Sequence, residues 1–440
     1  MVRSRLIKLV GIGFSALALL TVLAVGILLR TPVLLPWRTW LTPLFFAVMA
    51  VGTVWLFKRA KAGHWRNTGW SAIAICWLAS LSFAGTQTLQ FQWYRHQVLQ
   101  STAAEVRQLG AHMVVGYRNI DSARELAQKG LIGGIFLSAE NIKGRTANEI
   151  AMEIDSLQAL RRDWGLPELL VCVDHEGGAV SRLTPPLPAS PSLQALLALV
   201  PEADVLKTAY AYGLQHGREL ASVGVNINLA PVADLTSPAG GPIAASRSLM
   251  HLRSISADPL RTAKAVQGYV RGLERGRVLG TVKHFPGLGR VAVDTHLLPA
   301  SIDATVAELE QTDWIPFKAG LVESKALLMV GHVKLRAVDA QRLASQSPPV
   351  IDIVRTKWAH DGVLITDDLT MGAVLLVGTD SSGVSAIDSG IDLLLVSYDI
   401  DRYYEILYHL IQAKKNGALD ESMLVKSDAR LKALQVTLRP

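Results

Sequence analysis

The chain has 440 residues, half of them hydrophobic and 18% charged, against about a quarter charged in ordinary soluble domains. Its formal charge of +7 would suit a nucleic-acid binder, but the charge is badly placed for one. Residues 1–94 hold nine Lys or Arg and no Asp or Glu, which leaves 35 basic against 37 acidic residues in 95–440, a net of −2. A basic face for a phosphate backbone is therefore excluded as the reading. Two cysteines, Cys76 and Cys172, rule out a disulfide framework and a cysteine-ligated zinc site.

The N-terminal part reads as a membrane anchor over 1–94. Three apolar runs, about 9–29, 39–57 and 70–86, are each long enough to cross roughly 30 Å of hydrocarbon as a helix. A cleaved signal peptide is the alternative for the first run, but its length and the two later runs favour spans. Seven of the ten Trp residues fall in this part, most near span ends, as an interfacial belt requires. Arg3, Arg5 and Lys8 precede the first run, and Lys58, Arg59, Lys61 and Arg66 separate the second from the third. The other loop has only Arg30 and Arg38. This asymmetry predicts a cytoplasmic N-terminus. Three spans then set the rest of the chain on the outer side of a bacterial cytoplasmic membrane, and the answer inverts if one run does not span. Residues 95–104 are expected to be a linker.

From 105 to 440 the chain alternates short apolar runs with amphipathic stretches. The runs are HMVVGY (112–117), IGGIFLS (132–138), LLVCVD (169–174), VNINLAPVAD (225–234), LGTVKHF (279–285), LLMVGHV (327–333), GVLITDD (362–368) and IDLLLVS (391–397). Such continuous Val, Ile and Leu segments suit parallel strands buried on both faces. Helices are expected between them, for example over 261–275 and 303–313. Eight strands alternating with helices predict an α/β fold, a single TIM-type (β/α)8 barrel. A doubly wound open sheet is the alternative, and no G-x-G-x-x-G follows the first strand to support a dinucleotide site.

Ionisable residues fall at the ends of these runs: Asp174, the Lys283–His284 pair, His332 and Asp367. In a barrel those ends share one rim, where active sites are built. The loop KHFPGLGRVAVDTH (283–296) also holds Asp294 and His296, one residue apart. A carboxylate there can fix the tautomer of the imidazole and raise its basicity, making a general acid or base. Asp367, at the end of a buried run, is a candidate nucleophile, with Asp368 turned elsewhere as a cap. Arg182 and Arg247 are candidates to hold substrate oxygens. A metal held by His284, His296 and His332 is the competing reading, but the first strand lacks the H-x-H pair usual in metal-dependent hydrolase barrels. No metal and no cofactor is implied.

The strings VDHEGGAVSRL (173–183), NLAPVADL (228–235), SRS (246–248), KHFPGLG (283–289) with DTH (294–296), and GVLITDDLTMG (362–372) resemble, in order, the motifs of glycoside hydrolase family 3, most closely its β-N-acetylhexosaminidase branch. The resemblance spans about 105–400. It implies a single TIM barrel, Asp367 as nucleophile, and His296 assisted by Asp294 as acid/base. It also implies Asp174, Arg182, Arg247, Lys283 and His284 as sugar contacts. Three positions depart from the pattern: Leu288 stands where His is common, Ala179 where Arg is common, and His175 where Gln is usual. The implied activity is retaining hydrolysis that removes terminal β-linked N-acetylglucosamine, with peptidoglycan-derived fragments as substrate. Its partners would be such a glycan or muropeptide and the lipid bilayer. Phosphorolysis or another β-glycosidase activity of the family is the alternative within the class. A non-catalytic membrane-anchored sugar sensor is the alternative outside it.

Overall fold

The computed structural model describes residues 20–29, 32–61, 68–101, 104–236, 248–291, 293–376 and 381–438. The chain divides into two compact units, 1–97 and 98–440.

In the first unit, residues 20–28 are helical, followed by α1 (Arg38–Lys61) and α2 (Thr68–Gln100). Leu29, Phe45, Met49 and Ala84 form its buried centre, with Val22, Val25 and Trp77 packed on them. The helices approach closely at Gly52, where a Cβ would lie 2.1 Å from the Trp77 ring. Among the described residues one helix, Arg38–Lys58, is long and apolar enough to cross a membrane. The expected set of three spans is therefore narrowed. Residues 9–19 of the first lie outside the described residues. The apolar run of the third belongs to the longer helix Thr68–Gln100, which continues through the polar residues Gln87, Thr88, Gln90 and Gln92. The expected linker also differs: α2 runs on to Gln100, and the next helix, α3, begins at Ala104 and ends at Gly110.

The second unit is built on eight parallel strands. They are β1 (Met113–Gly116), β2 (Gly134–Leu137), β3 (Leu170–Val173), β4 (Ile227–Asn228), β5 (Leu279–Phe285), β6 (Leu327–Val330), β7 (Leu364–Thr366) and β8 (Leu394–Val396). Each pairs with its sequence neighbour, β8 pairs with β1, and the bridge Ile365–Leu393 brings β7 to β8. Every expected apolar run contains one strand. The open-sheet alternative fails because the first and last strands pair directly.

Local signals explain the helices between. The expected helix over 261–275 is Pro259–Arg275, started by Asp258, whose Oδ1 accepts from the Leu260 and Arg261 N–H groups. The stretch expected over 303–313 is shorter, Val306–Gln311, because Thr305 and Glu308 form a capping box at its start.

The barrel interior holds Val114, Phe136, Cys172, Ile227, Leu279, Met329, Ile365 and Leu395. Leu431 and Leu434, from the C-terminal helix Glu421–Leu438, join the same cluster. That helix is also tied by charge. Asp392, fully buried just before β8, pairs with Arg355 Nη2 at 2.6 Å and Arg430 Nη1 at 3.1 Å. It also accepts from the Leu364 N–H at 2.8 Å. Removing one member of a buried ion cluster leaves uncompensated charge. Asp392→Ala is therefore expected to destabilise the protein by about 3–5 kcal/mol in denaturant titrations; a loss under about 1 kcal/mol would contradict this role.

Candidate active site

The rim residues described sit where strands β3, β5, β6 and β7 run out. Beyond β3 the chain makes a small antiparallel hairpin, His175–Gly177 with Val180–Ser181. Gly177 has φ +86°, and a Cβ there would lie 2.4 Å from the Tyr212 hydroxyl oxygen, so the hairpin needs glycine at this point. Asn228, at the end of β4, holds the hairpin's first residue by both faces of its amide. It accepts from the His175 N–H at 3.0 Å and donates to the His175 carbonyl at 2.8 Å.

This fixes Asp174 and Glu176 around a buried cation. Lys283 Nζ lies 2.6 Å from Asp174 Oδ1 and 2.7 Å from Glu176 Oε1. Arg253 clamps Glu176 from the other side, Nε to Oε2 at 2.9 Å and Nη2 to Oε1 at 2.7 Å. Burial opposes the charge on Glu176, but Arg253 and Lys283 outweigh it and hold the carboxyl far below its ordinary value. Burial likewise pushes Lys283 down, and Asp174 and Glu176 more than restore it. The result is a preorganised set of donors and acceptors with Asp174 at its partly open edge.

Sequence reasoning missed Glu176 and Arg253. Arg247, the candidate it named, lies outside the described residues. Among the described residues a guanidinium of a second Arg–Ser pair, Arg253–Ser254, six residues on, reaches Glu176. Arg182 is exposed, and its N–H donates to the Asp174 carbonyl at 3.1 Å.

The acid/base pair is assembled in the loop after β5. Asp294, 4% exposed, accepts at Oδ1 from the His296 N–H at 2.9 Å and from His296 Nδ1 at 2.7 Å. Its Oδ2 accepts from the Ser248 N–H at 3.1 Å. Arg253 Nη1 donates to the Ser248 carbonyl at 2.9 Å, so the sugar-side ion cluster and the acid/base pair share one backbone link. An ionised carboxylate only accepts, so Nδ1 carries the proton and Nε2 is left for chemistry. Burial lowers the affinity of His296 for its second proton, but Asp294 and Asp367 reverse this and leave its pKa above the ordinary 6.5.

The loop is docked on the segment that follows the nucleophile. Gly372 donates to the His296 carbonyl at 2.9 Å, and Ala373 donates to the Thr295 carbonyl at 3.2 Å. A Cβ on Gly372 would lie 2.4 Å from the Leu297 carbonyl oxygen and 2.8 Å from that of His296. Only glycine allows the acid/base loop this approach.

Asp367 closes β7, its N–H on the Val330 carbonyl at 2.9 Å and its Oδ1 accepting from the Asp368 N–H at 2.8 Å. Burial raises its pKa, but the charges of His284, His332 and His296 prevail and the carboxyl lies below its ordinary 3.8. His332 contributes less charge than this implies, since burial pushes its own pKa down. Its ring bridges Ser345 Oγ at 2.7 Å and the Asp368 carbonyl at 3.1 Å, which holds the turn behind the nucleophile. Asp368 does turn elsewhere, as expected. It accepts from Thr370, Ser397 and Tyr398 and pins this turn to the end of β8.

His284 is bound to Asp234 through Nδ1 at 2.6 Å. Thus the three imidazoles considered as metal ligands are each committed to a different partner. Among the described residues no group of three or more His, Cys, Asp or Glu side chains is arranged to hold a metal ion. Of the three departures from the expected motifs, Ala179 is exposed, Leu288 is buried with its N–H on Asp234 Oδ1 at 2.6 Å, and His175 is buried with its backbone held by Asn228.

Comparison with known proteins agrees with this geometry. The family described as "Glycosyl hydrolase family 3 N terminal domain" matches residues 101–434. A β-hexosaminidase of Xanthomonas oryzae pv. oryzae is 30% identical over 306 residues, covering 69% of this chain and 86% of that protein. The solved glycoside hydrolase family 3 β-N-acetylglucosaminidase of Paenibacillus sp. superposes with a TM-score of 0.69 at 28% identity, over 76% of this chain and 63% of that one. A β-N-acetylhexosaminidase of Beutenbergia cavernae gives 0.68 at 25% identity, over 76% of this chain and 98% of that one. Some relatives are longer: the chain spans 55% of β-hexosaminidase A of Pseudoalteromonas piscicida. With the barrel, the carboxylate at the end of β7 and the imidazole pair opposite it in place, the chain belongs to glycosyl hydrolase family 3 and is a glycoside hydrolase.

Proposed function

We propose that the protein is a retaining β-N-acetylhexosaminidase that removes terminal β-linked N-acetylglucosamine. The observation that carries this reading is the strand-end carboxylate Asp367 beside the hydrogen-bonded Asp294–His296 pair; the two carboxylates raise the pKa of the imidazole. In the first step an Asp367 oxygen attacks the anomeric carbon and the bond to the leaving oxygen breaks. His296 Nε2 gives that oxygen its proton. In the second step His296 takes a proton from water as the water displaces Asp367, and the β configuration returns. Most retaining enzymes use two carboxyl groups; here the acid is an imidazole. Asp174, Lys283 and His284, with Arg182 at the edge, would hold the sugar hydroxyls.

The signs of the two pKa shifts set the pH profile. Asp367 must be ionised, and its pKa lies below 3.8. His296 must start protonated, and its pKa lies above 6.5. kcat/KM should therefore stay high between these values, fall on the acid side as Asp367 protonates, and fall on the alkaline side only above 6.5. Release of 4-nitrophenol from its β-N-acetylglucosaminide by the detergent-solubilised protein checks this. Asp367→Ala should abolish turnover, and His296→Ala should lower it about 10²–10⁴-fold and remove the alkaline limb. A wild type that is folded and inactive would refute the reading.

The apolar helix Arg38–Lys58 supports a membrane tether. With the runs 9–29 and 70–86 as further spans, the excess of Lys and Arg before 9 and over 58–66 would put the barrel outside the cytoplasmic membrane. Peptidoglycan-derived fragments are the β-N-acetylglucosaminides expected there. Alkaline phosphatase fused at the C-terminus should then be active in intact cells; an inactive fusion beside an active cytoplasmic reporter at the same point would reverse the topology.

A further inference from the structure

One buried carboxylate has no part in the two chemical steps above. Asp234, six residues beyond β4, is 1% exposed. Both of its oxygens serve a single segment of the loop after β5. Oδ2 accepts from the His284 N–H at 3.1 Å and from His284 Nδ1 at 2.6 Å. Oδ1 accepts from the Leu288 N–H at 2.6 Å. The backbone sets this up: Lys283 donates to the Pro231 carbonyl at 3.1 Å, and Ala233 donates to the Lys283 carbonyl at 2.6 Å.

The pattern repeats that of the acid/base pair. In both, one carboxylate oxygen accepts from a histidine's own N–H and from its ring Nδ1. An acceptor on Nδ1 leaves Nε2 pointing away from the carboxylate and compensates any charge the ring takes up. His284 is also close to the nucleophile in the sheet. β6 alone separates them, with the Gly331 N–H on the Phe285 carbonyl at 2.7 Å and the Asp367 N–H on the Val330 carbonyl at 2.9 Å. Among the charges lowering the pKa of Asp367, that of His284 is the largest.

We propose that Asp234 is a positioning residue for the reaction: it sets the tautomer and plane of His284 beside Asp367 and holds the turn from His284 to Leu288. The nucleophile then works between two imidazoles, each clamped by its own carboxylate, one to move the proton and one to steady the charge. This rests on the activity proposed above.

The test is Asp234→Asn, which keeps size and removes charge, in the full-length protein. The expected result is a fall in kcat of about 10–100-fold, the range for loss of a partner that orients a functional imidazole, with KM little changed. Asp234→Glu should recover part of the loss, and Asp234→Asn should add nothing once His284→Gln is present. A rise in KM with kcat unchanged, or losses that multiply in the double variant, would overturn the proposal and leave Asp234 a packing residue. A crystal structure of Asp234→Asn reads the same point without turnover. A rotated His284 ring supports the proposal, and an unmoved ring and turn refute it even if the substrate has been misidentified.

Discussion

The hydrogen bond of 2.7 Å between Asp294 and His296 is the contact on which the chemistry depends. An imidazole serves as an acid toward a leaving oxygen only if it holds its proton at working pH. Here the carboxylate two residues earlier, together with Asp367, outweighs desolvation and raises the pKa of His296 above the ordinary value. The same proximity keeps the nucleophile ionised. Each group thus sets the other's protonation state, so the two titrate as a pair.

Holding such charges in place requires a second layer. The Asp174–Lys283–Glu176–Arg253 cluster is a buried network whose members are costly unless all are matched. It is matched: Lys283 is shared by two carboxylates, and Arg253 meets Glu176 with two donors. Arg253 also reaches Ser248, whose N–H meets Asp294. The ion cluster and the Asp294–His296 pair are therefore parts of one hydrogen-bonded structure. Glycine completes it, since Gly372 lets the His296 loop lie on the chain that follows Asp367.

The barrel was legible because a parallel strand covered on both faces must be apolar throughout, and eight such runs stand out by hydropathy. The acid/base pair was legible because Asp294 and His296 are neighbours in sequence. Glu176, Arg253, Asn228 and Asp234 were not, since their partners across the site lie 50 to 107 residues away and nothing local signals such contacts. Arg247 lies outside the described residues, and Arg253 enters through its contact with Glu176, 77 residues away. In the N-terminal part apolar length is local, and it did not show that the third run belongs to a longer helix that goes on through glutamines to Gln100.

The most direct test of the central claim, a covalent intermediate on Asp367, is mass spectrometry of the protein quenched during turnover of a slow β-N-acetylglucosaminide. Digestion should yield the peptide containing Asp367 carrying one N-acetylhexosamine, lost on incubation with water and absent from Asp367→Ala. A sugar attached to another carboxylate, or turnover with no adduct under conditions that trap a retaining enzyme, would contradict the account.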